Sequence, residues 1–327
     1  MAPTAQDIRT GMARLLTCLG DLRGQKVVLV TDEGTPATLE AAAIHGLVER
    51  EAEIQQEVVP PADGTDTEPP ASLTAIMAKA DAVVELTTVS IRHSQARQDA
   101  QAAGTRYLYL GAPSPELFTG EGAMYADFAA MTDSIERLAG RVTSGSEMRM
   151  TSERGTDLTI DLEGRVGRAL TGMATRAGQF GTPPCLEWGL VPSFTGVTGR
   201  LVADAWAVGL GLLSEPIQVE VVEGRAVHIA DGVEGRRLRD LLDGVQTPHA
   251  YQVSEVGVGM NPEAKMIDDM MSAEAVLGTA HIAVGTTPAD PGVERVEAGL
   301  HVDLVFWRPT IQIDDEFIMK NGSLCVT

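Results

Sequence analysis

Cysteine is scarce in this chain and poorly placed for chemistry. Cys18, Cys185 and Cys325 are odd in number and widely separated, and no C-x-x-C occurs, which excludes a disulfide scaffold and a thiolate zinc site. Basic residues are in deficit as well. Against 46 Asp and Glu stand 25 Lys and Arg, a formal net charge of −21, and no Lys/Arg cluster supplies the footprint that nucleic acid requires. Long apolar runs are missing too: the longest, near residues 205–213, is about half a membrane span, so no membrane partner is expected. The first seven residues carry neither a basic region nor an apolar core, so no signal peptide is read there and a soluble, cytoplasmic protein is expected. No G-x-G-x-x-G follows the first strand. Asp32-Glu33-Gly34-Thr35-Pro36 stands in its place, and its carboxylates would repel a pyrophosphate.

What is present is the composition of a folded protein. A hydrophobic content of 44% with 22% charged residues over 327 positions allows two ordinary domains, each with its own core. The first part alternates strand and helix patterns: strands over 25–31, 53–59, 81–86 and 106–110, with helices over 38–51, 72–79, 94–103 and 131–142. That is the α/β pattern, and it predicts a Rossmann-like parallel-sheet domain over 1–143. Residues 60–70, rich in Pro, Asp and Thr, read as a solvated loop. Around Thr143-Ser144-Gly145-Ser146 the pattern turns to shorter strands punctuated by Gly-containing turns, with one clear helix over 233–242. A β-rich α+β domain is expected over 144–327.

Chemistry concentrates in four segments of that second domain. His301-Val302-Asp303 lies in a strand pattern, so an imidazole and a carboxylate two residues apart project from one face. The others surround Glu187, Glu255 and His281, each in a Gly/Pro-rich or strand context. Three carboxylates and two imidazoles suit Zn, Co, Mn or Fe. Five ligands exceed what one catalytic ion takes while keeping a position open, so a dinuclear site is feasible. His45 and His93 read as surface or packing residues, His228 and His249 as flanking strands or turns, and Asp268-Asp269 as a solvated helix face.

The order of these segments resembles a known family. Glu255-Val256-Gly257-Val258-Gly259-Met260-Asn261-Pro262, then Gly278-Thr279-Ala280-His281-Ile282-Ala283-Val284-Gly285, then His301-Val302-Asp303 looks like the aminopeptidase T, or thermophilic aminopeptidase, family of metallopeptidases. Upstream, Glu187 and Gly196-x-x-Gly199-x-Leu201-Val202-x-Asp204 fit the same pattern. The resemblance implies a pair of divalent metals held by Glu187, Glu255, His281, His301 and Asp303, and a homodimer. One departure stands out: Pro288 occupies the place of a tyrosine in those peptidases. The same superfamily includes 2,5-dihydroxypyridine dioxygenases, mononuclear iron enzymes in which a histidine takes the place of Glu255 while His301 and Asp303 match the other two ligands.

The expectation drawn from these residues is a metallohydrolase that cleaves an amide-type C–N bond of a small, non-peptide molecule. Zn, Co or Mn would activate a water, with Glu187 or Glu255 moving the proton. The alternatives are a ring-opening iron dioxygenase of the 2,5-dihydroxypyridine type, a leucyl-type aminopeptidase, and a binding domain with a structural metal.

Overall fold

A computed structural model describes residues 2–60, 68–92, 94–111, 113–119, 122–288 and 295–325. It divides into two compact units, Met1–Thr132 with Leu170–Leu186, and Asp133–Ala169 with Glu187–Thr327. His93 and most of the expected loop over 60–70 lie outside the described residues. Among the described residues no helix is long and apolar enough to cross a membrane.

The helices in chain order are α1 (Ala5–Thr17), α2 (Ala37–Glu49), α3 (Ala71–Met77), α4 (Gln95–Ala102), α5 (Phe128–Ser144), α6 (Val233–Gly244) and α7 (Met270–Ala273). The strands are β1 (Lys26–Asp32), β2 (Glu53–Val59), β3 (Ala82–Glu85), β4 (Arg106–Tyr109), β5 (Glu147–Thr151), β6 (Asp157–Asp161), β7 (Arg168–Leu170), β8 (Phe180–Gly181), β9 (Glu187–Leu190) and β10 (Val197–Ala203). They continue with β11 (Trp206–Ala207), β12 (Gly211–Leu212), β13 (Ile217–Val222), β14 (Arg225–Ile229), β15 (Val253–Gly259), β16 (Thr279–Gly285), β17 (His301–Trp307), β18 (Thr310–Ile313), β19 (Glu316–Lys320) and β20 (Ser323–Leu324).

In the first unit a five-stranded sheet runs in the order β2-β1-β3-β4-β8, every pair parallel. The run Val27-Val28-Leu29-Val30 is apolar throughout because helices cover both faces of the sheet. Val28 and Val30 pack with Leu73, Met77, Ala96 and Ala100 of α3 and α4, while Val27 and Leu29 point to the opposite face. Strand β2 sits at the edge, which its mostly exposed Glu and Gln side chains tolerate. The boundary expected at 143/144 falls at the end of α5. The units divide within that helix instead, and the chain returns to the first unit through β8, which pairs with β4.

At the carboxyl ends of β1 and β3, Asp32 ties two loops together. Its carboxylate accepts from Thr88 N at 2.6 Å, Thr88 Oγ1 at 2.8 Å, Val89 N at 2.9 Å, Gly34 N at 3.0 Å and Thr35 Oγ1 at 3.1 Å. Burial opposes its ionisation, yet these donors prevail and hold its pKa below the ordinary value.

The second unit is built on two antiparallel sheets. One has eight strands in the order β14-β13-β10-β6-β5-β18-β19-β20, the other seven in the order β12-β11-β17-β16-β15-β9-β7. The chain crosses between these sheets several times, among them from β10 to β11 and from β17 to β18. Asp204 Oδ1 accepts from Trp307 N at 2.9 Å, so the two crossings are tied to each other. The pair Asp268-Asp269 departs from its expected helix face: Asp268 accepts from Trp206 Nε1 at 3.1 Å and Asp269 caps α7 by accepting from Ser272 N. A short helix needs such a cap because its first N–H groups lack partners.

Asp32→Ala leaves several donors unanswered and should lower unfolding stability by about 2–4 kcal/mol, with Asp32→Asn intermediate because its amide keeps one acceptor oxygen. Urea denaturation followed by circular dichroism checks this. A change under about 0.5 kcal/mol would mean that solvent replaces those bonds at no loss.

Candidate metal centre

Strand register explains how residues far apart in sequence meet. Directly paired residues share a sheet face, as do residues two apart on one strand. Glu255 pairs with Ala283, and Ala283 with Asp303. Gly257 pairs with His281, Gly259 with Glu187, and Gly285 with His301. One face of β9, β15, β16 and β17 therefore carries Glu187, Glu255, His281, His301 and Asp303 over a floor of Gly and Ala. All five residues singled out in the sequence converge there.

They form two overlapping groups, Glu187–Glu255–His281 and Glu255–His301–Asp303, each offering ligand atoms within 4.8 Å of one another. His301 Nε2 is 3.3 Å from both Glu255 Oε2 and Asp303 Oδ2. His281 Nε2 is 3.8 Å from Glu187 Oε1 and 3.7 Å from Asp303 Oδ1. Thr286 O lies 2.7 Å from His301 Nδ1, which fixes the tautomer and turns Nε2 to the carboxylates. Glu187, Glu255, His281 and Asp303 are buried, whereas the His301 side chain keeps 31% of its surface exposed.

The floor has to be small. A Cβ on Gly257 would lie 2.2 Å from His281 Nε2 and 2.6 Å from Glu187 Oε1, so the space above this residue is where the ligand atoms gather. At Gly259 a Cβ would meet Glu274 O at 2.8 Å and Val276 O at 2.3 Å. The segment following α7 thus lies directly on the sheet face. Ala273 packs with Val305 and Trp206, two positions along β17 from Asp303.

That packing delivers a residue that sequence reasoning misses. Glu274, at the carboxyl end of α7, hydrogen-bonds Asp303. Burial, then the charges of Asp303 and Glu187, push its carboxyl well above the usual range. No local pattern marks a lone Glu after a four-residue helix. Arg168 on β7 is the second such residue, its Nη1 donating to Glu255 Oε1.

The other groups respond to one another. Burial opposes ionisation of Glu255, but Arg168 and His301 outweigh it and bring its pKa down to about 2. Asp303 is depressed too: its burial is overcome by His301, His281 and the Glu274 hydrogen bond. Burial would lower His301, yet Asp303 and Glu255 hold it well above its ordinary value. Glu187 goes the other way, raised to about 7 by burial with help from Glu255 and Asp303, against His281 and Arg168.

The remaining sequence candidates stay apart. His45 is exposed on α2, 3.5 Å from Glu49. His228 lines a groove of about 530 Å³ with Asp231, Arg239 and Tyr251, and His249 is exposed in the turn Pro248–Tyr251.

Two outcomes follow from this geometry. Gly257→Ala should displace His281 and Glu187 and weaken divalent-metal binding by about 100-fold or more while circular dichroism stays unchanged; wild-type affinity in that variant would show that the floor is not the constraint. Glu187 has a raised folded-state pKa, so its contribution to stability is fully present below about 4.5 and is lost as pH rises to about 7. The melting temperature of metal-free protein should therefore fall across that window, and Glu187→Gln should flatten the fall. An unchanged profile in the variant would contradict the assignment.

Comparison with known proteins then fixes the family. The family model for NicX, 2,5-dihydroxypyridine 5,6-dioxygenase, matches residues 18–326. The curated 2,5-dihydroxypyridine 5,6-dioxygenase of Pseudomonas putida KT2440 is 24% identical over 260 residues, 75% of this chain and 71% of the relative. The solved 2,5-dihydroxypyridine dioxygenase structure from Pseudomonas putida KT2440 superposes with a TM-score of 0.84 at 19% identity, covering 99% of this chain and 98% of that one. Wild-type AmpT from Thermus thermophilus gives 0.67 at 17% identity, covering 98% and 99%. The mixed α/β fold expected from the sequence is thereby established, and both solved structures share it. The metallohydrolase and aminopeptidase-like readings are corrected by the family match. The physical reason is that carboxylates and imidazoles bind a divalent ion for either chemistry, so Glu255 in place of histidine did not discriminate. The match spans nearly the whole chain: it belongs to the 2,5-dihydroxypyridine 5,6-dioxygenase family.

Proposed function

We propose that this protein is an iron-dependent ring-opening dioxygenase acting on a small hydroxylated pyridine or a closely related electron-rich ring. The observation that carries this reading is the Glu255–His301–Asp303 group, one imidazole nitrogen and two carboxylate oxygens on one rigid sheet face, in a chain of this family. One histidine and two carboxylates suit ferrous iron, a borderline ion that accepts both donor types. The fit is supported by the close-packed cradle above Gly257 and by His281 Nδ1, a buried nitrogen with no hydrogen-bond partner among the described residues.

Glu255, His301 and Asp303 would hold the iron, with His281 and Glu187 beside them. When bound, ferrous iron supplies the one-electron chemistry that lets a closed-shell aromatic react with dioxygen. The chain's own residues do the rest. Thr286 O holds the His301 ring in orientation. Glu274 hydrogen-bonds Asp303. Glu187, whose carboxyl has a pKa of about 7, is the base that accepts the proton of a ring hydroxyl at Oε1, within 3.8 Å of His281 Nε2. Burial of this face keeps water from competing for that proton.

Protein loaded with ferrous iron under argon and then given oxygen with 2,5-dihydroxypyridine should consume oxygen in step with loss of the ring's ultraviolet absorbance. His301→Ala and Asp303→Ala should each lose iron and reduce turnover by about 100-fold or more. Full turnover with zinc and no oxygen uptake, or undiminished iron content in both variants, would refute the proposal.

A further inference from the structure

Arg168 reaches the carboxylate cluster from β7 with its side chain only 18% exposed. Its guanidinium Nη1 donates to Glu255 Oε1, while Glu255 Oε2 faces His301 Nε2 at 3.3 Å. The two oxygens of one carboxylate are thus divided between a fixed cation and the ligand atoms. A guanidinium is permanently charged and planar, so it holds a carboxylate in one orientation and compensates its charge.

Resting on the iron reading above, we propose that Arg168 is a positioning residue that makes Glu255 a one-oxygen, charge-compensated ligand. Two consequences follow from elementary electrostatics and geometry. With Oε1 held by the guanidinium, Glu255 presents Oε2 alone, which leaves a coordination position open for substrate or oxygen. A fixed positive charge beside the ion also disfavours its more highly charged state, so Arg168 keeps the iron ferrous. Arg168→Met would release Oε1 to become a second donor and remove the charge at the same time.

Cobalt(II) substitution reads the first consequence without iron, oxygen or turnover. The visible bands of the cobalt protein should weaken in R168M as Glu255 closes on the ion with both oxygens. They should stay in place in R168Q, whose amide still donates to Oε1. Adding R168M to E255Q should leave the bands where E255Q alone puts them. A dye-mediated redox titration of the iron protein under argon reads the second: R168M and R168Q should both shift the ferric/ferrous equilibrium towards ferric by at least about tenfold, while R168K stays near wild type. Cobalt bands unmoved in R168M, or moved equally with Glu255 and with E255Q, would overturn the proposal, as would the absence of cobalt binding in the wild type. If R168M does not fold, R168Q and R168K decide through the potential, and no shift between them overturns it. Intact cobalt and redox behaviour in a protein that opens no ring would refute the dioxygenase reading and leave this one standing.

Discussion

Negative charge gathered in one buried place is the constraint around which the second unit is organised. Glu187, Glu255 and Asp303 are all buried, and Glu274 joins them by hydrogen-bonding Asp303. Carboxylates taken out of water and set side by side repel one another strongly, and each would rather take up a proton than stay ionised there. Every other feature of the site relieves that strain of charge. Arg168 and His301 supply positive partners to Glu255, and His301 and His281 to Asp303, while burial shifts Glu187 and Glu274 towards holding a proton more readily than a carboxylate in water. A bound dication would complete the compensation, which is why the arrangement reads as a metal centre and not as a structural ion pair.

The sheet supplies the precision that such a cluster demands. Four antiparallel strands put the five side chains on one face by register alone, so their spacing is set by the backbone and not by flexible loops. Glycine does two distinct jobs on that face. At Gly257 the missing side chain leaves room for His281 and Glu187, and at Gly259 it lets the chain after α7 lie on the sheet and bring Glu274 to Asp303. The tie between Asp204 and Trp307 holds the crossings next to β17, the strand that carries His301 and Asp303.

Much of this was legible in the sequence because it is local. His301 and Asp303 declare themselves through the two-residue period of a strand, and the α/β character of the first part follows from alternating patterns. Glu187, Glu255 and His281 were found by their ligand type and setting, although the register that unites them is a long-range property that no window reveals. Arg168 and Glu274 escaped for the same reason. Each is an ordinary charged residue in sequence and becomes part of the site only through pairing of β7 at the sheet edge and packing of α7 on Val305. The reaction is not legible in the same way: a ligand set constrains the ion it binds more than the chemistry done there, and a carboxylate at position 255 is compatible with hydrolysis and with ring opening alike. The return of 170–186 to the first unit was hidden because β8 is only two residues long.

Anomalous diffraction at the iron edge, from crystals grown anaerobically with ferrous iron, tests the central claim most directly. The account predicts one iron peak bonded by Glu255 Oε2, His301 Nε2 and Asp303, with Glu255 Oε1 still on Arg168. Iron bound away from these three side chains, or two ions of equal occupancy bridged by Glu255 with Arg168 displaced, would contradict it.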